Sequence, residues 1–223
     1  MIQSLATDRG VSLFDERYAS TECYYGRSIR PELARFLHAT CVSGWEALDL
    51  GCGEGRYSIA LAERGCHVTA VDRSRVGVGK LASAAMENGL SIEAFCEDVT
   101  ELDFGDEQYD LIVFPTILDH LDEPGRSEVV REIRRALRPG GVFFGCVLTQ
   151  ADPGYLDRSS RGVSETAGGI AHYFATGELH RCFADFDVVK YDEFMEEDRS
   201  HGPVHDHGWA VILGRKPERK LVR

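Results

Sequence analysis

The 223-residue chain has no C-x-x-C pair among its seven cysteines, no apolar run near 20 residues, no excess of basic side chains and no internal repeat. Each absence removes a class of answer. Cysteines 23, 41, 52, 66, 96, 146 and 182 are odd in number and scattered, which argues against a disulfide framework or a zinc knuckle and for reduced thiols acting as small hydrophobes. The same scatter speaks against a three-thiolate arsenic site. The start Met1-Ile2-Gln3-Ser4-Leu5 lacks the basic and then apolar order of a signal peptide, so a cytoplasmic protein without a membrane partner is expected. With Lys+Arg 25 against Asp+Glu 37 the net charge is -12, and nucleic acid is not an expected partner.

A third glycine is missing as well. Residues 48–55 read Leu-Asp-Leu-Gly-Cys-Gly-Glu-Gly, and counting from Gly51 the third glycine position of a G-x-G-x-x-G dinucleotide loop is held by Arg56. The loop is G-x-G-x-G instead, with the carboxylate of Asp49 inside it. That charge would repel a pyrophosphate and attract a cationic head, and S-adenosylmethionine, which carries an ammonium and a sulfonium, is the expected ligand. Gly51, Gly53 and Gly55 are expected to open the next helix with backbone N–H groups at the ligand's edge, Cys52 packing locally between them.

Length and 43% hydrophobic content suit one α/β domain. Apolar runs near 45–50, 67–71, 91–95, 109–114 and 141–147 predict strands, alternating with helices near 55–64, 74–88 and 125–138. The last helix is expected to end at Leu137-Arg138-Pro139-Gly140-Gly141, with both glycines free to turn left-handed. A polar loop over 150–171, a short helix near 176–183 and strands near 186–194 and 208–214 follow, the two strands joined as an antiparallel hairpin through Gly202-Pro203. Residues 1–44, helical after Pro31 and less regular before it, read as a cap or lid on a unit spanning 45–223; residues 1–10 and 216–223 look frayed.

Asp72 ends the second strand 21 positions after Gly51, near the roughly 20-residue offset at which an acid meets a ribose diol, with Arg73 beside it. Asp98-Val99 follows the third strand on the edge where open α/β sheets bind ligands, and could accept from an adenine amino group or simply cap the turn before Thr100. The fourth strand leaves the sheet at Pro115, where backbone carbonyls could meet an ammonium.

Over residues 45–147 these motifs resemble the class I S-adenosylmethionine-dependent methyltransferases: Leu-Asp-Leu-Gly-Cys-Gly-Glu-Gly, the acid Asp72, Asp98-Val99, and the turn at 137–141. The resemblance implies a Rossmann-like three-layer α-β-α sandwich with a seven-stranded, mostly parallel sheet and its last strand antiparallel. A weaker similarity to the tellurite-resistance methyltransferases rests on Tyr25-Gly26 with Pro31, Tyr173-Phe174, Gly177-Glu178-Leu179, Val189-Lys190-Tyr191 and the segment from Asp198 to Lys216. It implies a soft acceptor, a thiol or a selenium or tellurium species, held by basic residues before the final strand, where this chain has Arg199 and His201.

The acceptor pocket is therefore expected to use His201 and Arg199 catalytically, with Tyr25, Arg30, His120, His172, Tyr173, His205 and His207 lining it. The spacing H-x-x-x-H-x-H over 201–207 leaves three readings open: a metal site, an acceptor or proton-transfer site, and a solvated loop. No metal is assigned. The expected activity is methyl transfer to a small molecule, leaving S-adenosyl-L-homocysteine, by a monomer or homodimer. An O- or N-methyltransferase and a non-catalytic binding module are the rivals.

Overall fold

Alternation of short apolar runs with amphipathic segments becomes, in three dimensions, a sheet with a helix after nearly every early strand. The computed structural model describes residues 13–156 and 167–219. Helices α1 (Leu13–Ser20) and α2 (Pro31–Ala39) precede β1 (Glu46–Leu50); α3 (Arg56–Ala62), β2 (His67–Asp72), α4 (Arg75–Asn88), β3 (Ile92–Cys96) and β4 (Tyr109–Pro115) follow. Then come α5 (Glu123–Ala136), β5 (Leu137–Leu148), the single turn α6 (Pro153–Leu156), α7 (Glu178–Cys182), β6 (Asp187–Asp198) and β7 (His205–Arg215).

The sheet order is β3-β2-β1-β4-β5-β7-β6, with β7 antiparallel to both neighbours. Two cores flank it. Leu33, Leu37, Tyr57, Leu61, Val78 and Leu81 from α2, α3 and α4 pack with Ala47, Val113 and Phe144. Val129 and Ile133 of α5 and Leu179 of α7 pack with Leu48, Leu50 and Ile112, joined by an aromatic stack of Phe114, Phe143, Phe183 and Phe186. The result is the expected three-layer, seven-stranded arrangement, and the order reverses between β1 and β4, the crevice position of open α/β sheets.

Local chemistry sets the boundaries. Ser74 caps α4 by accepting from the Gly77 amide at 3.0 Å, and Gly89 ends it with φ 61°. Asp122 caps α5 through the Gly125 amide at 2.9 Å. Three expectations change. Helix α5 stops at Ala136 rather than near 138, because Leu137 already pairs with Tyr109; Gly140 has φ 77° but Gly141 is not left-handed. Residues 216–219 are tied down: the Lys216 amide donates to Gly141 O at 2.8 Å, its ammonium to Leu137 O at 2.6 Å, and Arg219 to Glu107 at 2.6 Å. The hairpin strands run longer than predicted, so only 199–204 form its turn.

Residues 13–20, expected to be irregular, form α1. The expected frayed stretches 1–10 and 220–223, and the N-terminal part of the expected cap, lie outside the described residues. Among the described residues no helix is long and apolar enough to cross a membrane.

Candidate functional site

The glycine loop follows β1 with Gly51, Gly53 and Gly55 at φ 73°, 53° and 89°. A Cβ at Gly53 would lie 2.6 Å from Tyr18 Oη, and one at Gly55 would lie 2.3 Å from Leu81 Cδ1. The sequence requires glycine here for backbone shape and for close packing.

The loop amides differ from expectation. Gly51 and Cys52 both donate to Val71 O, at 2.8 and 3.0 Å, Gly53 donates to Asp72 Oδ2 at 2.8 Å, and Gly55 donates to Cys52 O at 2.8 Å. The first three N–H groups hold the loop onto the end of β2 and the fourth closes the loop on itself, leaving close approach, rather than donation by these amides, as what they offer a ligand.

Asp49 is also placed differently. Strand alternation turns Leu48 and Leu50 toward the α5 side and Asp49 toward α3, where it is fully buried and its Oδ2 accepts from Ser58 Oγ at 2.6 Å. It does not line the cavity beside the loop. Burial raises its pKa to about 7, against the Ser58 hydrogen bond that lowers it. The cradle's negative charge must come from elsewhere.

It comes from Asp72 and Asp119. Asp72 lines the cavity and accepts from the Gly53 and Ser74 amides, at 2.8 and 2.7 Å, which leaves half of a carboxylate's roughly four acceptor positions for a ligand. Burial pushes its pKa up, opposed by those two amides. Asp119, four residues past β4, is fully buried, lines the cavity and accepts from the Leu148 amide at 3.0 Å through Oδ2; its Oδ1 has no hydrogen-bond partner among the described residues. Burial raises its proton affinity too. The sequence reading passed over Asp119 because no motif spacing marks it; its signal was an acid just past the carboxyl end of a central strand.

The cavity measures about 590 Å³, within the roughly 300–1,000 Å³ of small-molecule sites, and opens at the carboxyl ends of β1, β2 and β4. Gly51, Cys52, Gly53, Arg73, Val99 and Pro115, expected to bind the cofactor, border it. Asp98 does not: its Oδ1 caps the turn at Val99–Glu101 by accepting from Thr100 N at 3.0 Å, while Oδ2 lies 3.7 Å from Arg73. The cavity thiols Cys52 and Cys146 are pushed up in pKa by burial and stay protonated.

At its far end the cavity meets the N-terminal segment and the hairpin. Arg56 donates to Tyr25 O at 3.2 Å, and the Tyr25 ring stands 4.7 Å from His201, bridging loop and hairpin. Arg30 lies over the Trp209 ring at 4.1 Å and pairs with Glu196 at 2.5 Å. Arg199 is exposed and pairs with Glu197 at 2.6 Å. Both expected cations are thus matched by acids on the same hairpin.

The histidines divide. His201 and His207 line the cavity and His205 lies behind them; all three are buried, because His205 and His207 belong to β7. The solvated-loop reading therefore fails. Burial holds the His201 imidazole neutral, its pKa lowered to about 4 despite Asp198 nearby. His120 lines the cavity with Nδ1 donating to Gly169 O at 2.8 Å. His172 and Tyr173 do not line it: His172 Nε2 meets Glu178 at 2.7 Å, and Tyr173 packs beside Tyr155 in the core.

Residues 47–141 match the family described as a methyltransferase domain. The ubiquinone biosynthesis O-methyltransferase of Pseudomonas savastanoi is 32% identical over 118 residues, covering 52% of this chain and 49% of that protein, so the chain spans about half the length of the curated relatives it matches. Among solved structures, TehB from Haemophilus influenzae superposes with TM-score 0.72 at 23% identity, covering 91% of this chain and 67% of that one. The 1,6-didemethyltoxoflavin-N1-methyltransferase of Burkholderia thailandensis, bound to S-adenosylhomocysteine, gives 0.62 at 24% identity, covering 84% and 78%. The structural likenesses carry the fold and the sequence match carries the domain: residues 47–141 match a methyltransferase domain, and the chain shares its fold with TehB.

Proposed function

We propose that this chain methylates a small molecule, using S-adenosylmethionine bound between the glycine loop and Asp72. The observation that carries the reading is Asp72: a half-buried carboxylate at the end of β2, tied to the Gly53 amide and still able to accept, beside a loop whose glycines leave room for a ligand. The fit to the cofactor is supported by the two spare acceptor positions for a ribose diol, and by Val99 and Pro115 bordering the same cavity. When bound, the cofactor supplies an electrophilic methyl on a sulfonium whose sulfur departs neutral.

The chain's own contribution is alignment and dryness. Holding two reactants in line is worth several kcal/mol, roughly 7–11 at the upper end. Tyr25 against His201 and Tyr18 beside Gly53 place aromatic rings at the junction of the two ends, where they would help to exclude water. A protic acceptor also loses a proton, and Asp119 Oδ1 is the group placed to take it.

For the acceptor we propose a thiol as the first candidate among the soft nucleophiles. The pairing of Arg30 with Glu196 and of Arg199 with Glu197 leaves little net positive charge for a selenium or tellurium oxyanion, which draws less support. Asp119 favours a second reading, an O or N acceptor whose proton needs a buried base. Incubating the purified protein with methyl-labelled cofactor against thiols, phenols, amines, selenite and tellurite tests all of these. Acceptor-dependent S-adenosylhomocysteine with a thiol supports the first reading; with phenols or amines alone it moves the assignment to the second. Cofactor binding with no product from any acceptor leaves a binding module.

A further inference from the structure

We propose that Asp198, His201, His205 and His207 form a site for a divalent transition metal of the zinc type, set in the wall of the cavity at the hairpin. One donor atom from each of the four lies within 4.8 Å of every other, and the three histidines are buried. Asp198 closes β6 opposite His205 at the start of β7, and His207 follows two residues later on the same strand face. His201, from the turn, stands 4.7 Å from the His205 ring.

The hydrogen bonds of the two strand histidines carry the argument. His205 Nδ1 lies 2.7 Å from Pro203 O, a carbonyl that can only accept, so Nδ1 carries the proton. His207 Nδ1 lies 2.8 Å from the buried Asp152 Oδ2, which fixes the same tautomer. With Nδ1 of each ring engaged outward, both Nε2 atoms turn inward, and these two nitrogens face each other at 3.0 Å. Two lone pairs repel at that distance unless a proton or a cation lies between them.

A proton would join only those two nitrogens, while His201 Nδ1 stands 3.6 Å from Asp198 Oδ2 beside them. A metal uses all four. Zinc–nitrogen bonds of about 2.0–2.1 Å in a tetrahedron separate neighbouring nitrogens by about 3.3 Å, close to the 3.0 Å between the two Nε2 atoms, and the four donors, within 4.8 Å of one another, would draw in around the ion. A carboxylate and a backbone carbonyl holding the outer ring nitrogens is the usual support for metal-binding histidines. Asp152 and Pro203 supply it here. Three imidazoles and one carboxylate suit zinc or cobalt rather than magnesium or calcium. Asp198, His201 and His207 border the cavity, so a coordination position exchanged for solvent would face the acceptor. That use in catalysis rests on the methyl-transfer reading; the binding itself does not.

The test uses the full chain, stripped with a chelator and titrated with Co²⁺ and then Zn²⁺, followed by visible absorption and calorimetry. One ion per chain with a tetrahedral Co²⁺ spectrum that zinc bleaches is the expected result. Asp152→Asn should weaken zinc binding by about 10–100-fold, and His207→Gln by more, while His172→Gln, outside the cluster, should not change it. Circular dichroism of each variant separates lost binding from lost folding. Wild-type chain that is folded, binds S-adenosylmethionine and yet takes up no ion would overturn the metal site and leave the methyltransferase reading standing. Metal uptake without cofactor binding would do the reverse.

Discussion

The two ends of the cavity are built in different ways. The end proposed for the methyl donor comes from short connections at the tips of neighbouring parallel strands, where Gly51 to Gly55, Asp72, Val99 and Pro115 lie at positions the β-α rhythm dictates. The end proposed for the acceptor joins residues far apart in the chain: Tyr25 and Arg30 before the sheet, Asp119 past β4, and His201, His207 and Trp209 on the last hairpin. A local motif can be read from spacing. A pocket assembled from distant segments depends on strand pairing and on which acid meets which base.

The largest expected effect lies at the donor end. Asp72→Ala should weaken cofactor binding about a hundredfold or more by calorimetry, roughly 3 kcal/mol, since it removes a charged acceptor and releases the Gly53 and Ser74 amides. Asp119→Asn should separate the ends: with a protic acceptor, turnover falls by about 10²-fold or more while cofactor affinity holds. A loss of cofactor affinity instead would move Asp119 to the donor side. Arg30→Met, which leaves Glu196 without its partner and uncovers Trp209, should raise the acceptor's KM by about tenfold with little change in kcat.

The smallest effect concerns stability. Because the folded pKa of Asp49 is raised from 3.8 to about 7, the native state binds this proton more tightly than the unfolded chain does. Its contribution to stability should therefore fall as pH rises from about 4 to about 7 and level off above. Asp49→Asn should flatten that slope and gain on the order of 1 kcal/mol at pH 8, read from thermal melts; an unchanged slope would mean the carboxylate is ionised at neutral pH.

The same contrast explains what could be read from residues alone. The strand and helix alternation, the glycine loop, the acid ending β2 and the reversed last strand were legible because each rests on local spacing. The side of β1 that carries Asp49 depends on which face meets α3. His205-Asp206-His207-Gly208 lacks the β-branched residues that mark strands, yet pairing with Met195 to Asp198 extends β7 through it and buries both rings. His172 and Tyr173, expected to line the acceptor pocket, are claimed instead by Glu178 and the core.

Helix α1 gives the donor end a latch. Asp15 accepts from the Val76 amide at 3.1 Å, and Lys80 donates at once to Glu54, Thr21 O and Tyr18 O, fastening the helix over the glycine loop. With a nucleoside seated beneath Tyr18, Asp15 and Lys80 together would hold the helix over it, and loosening either contact should speed the departure of spent cofactor.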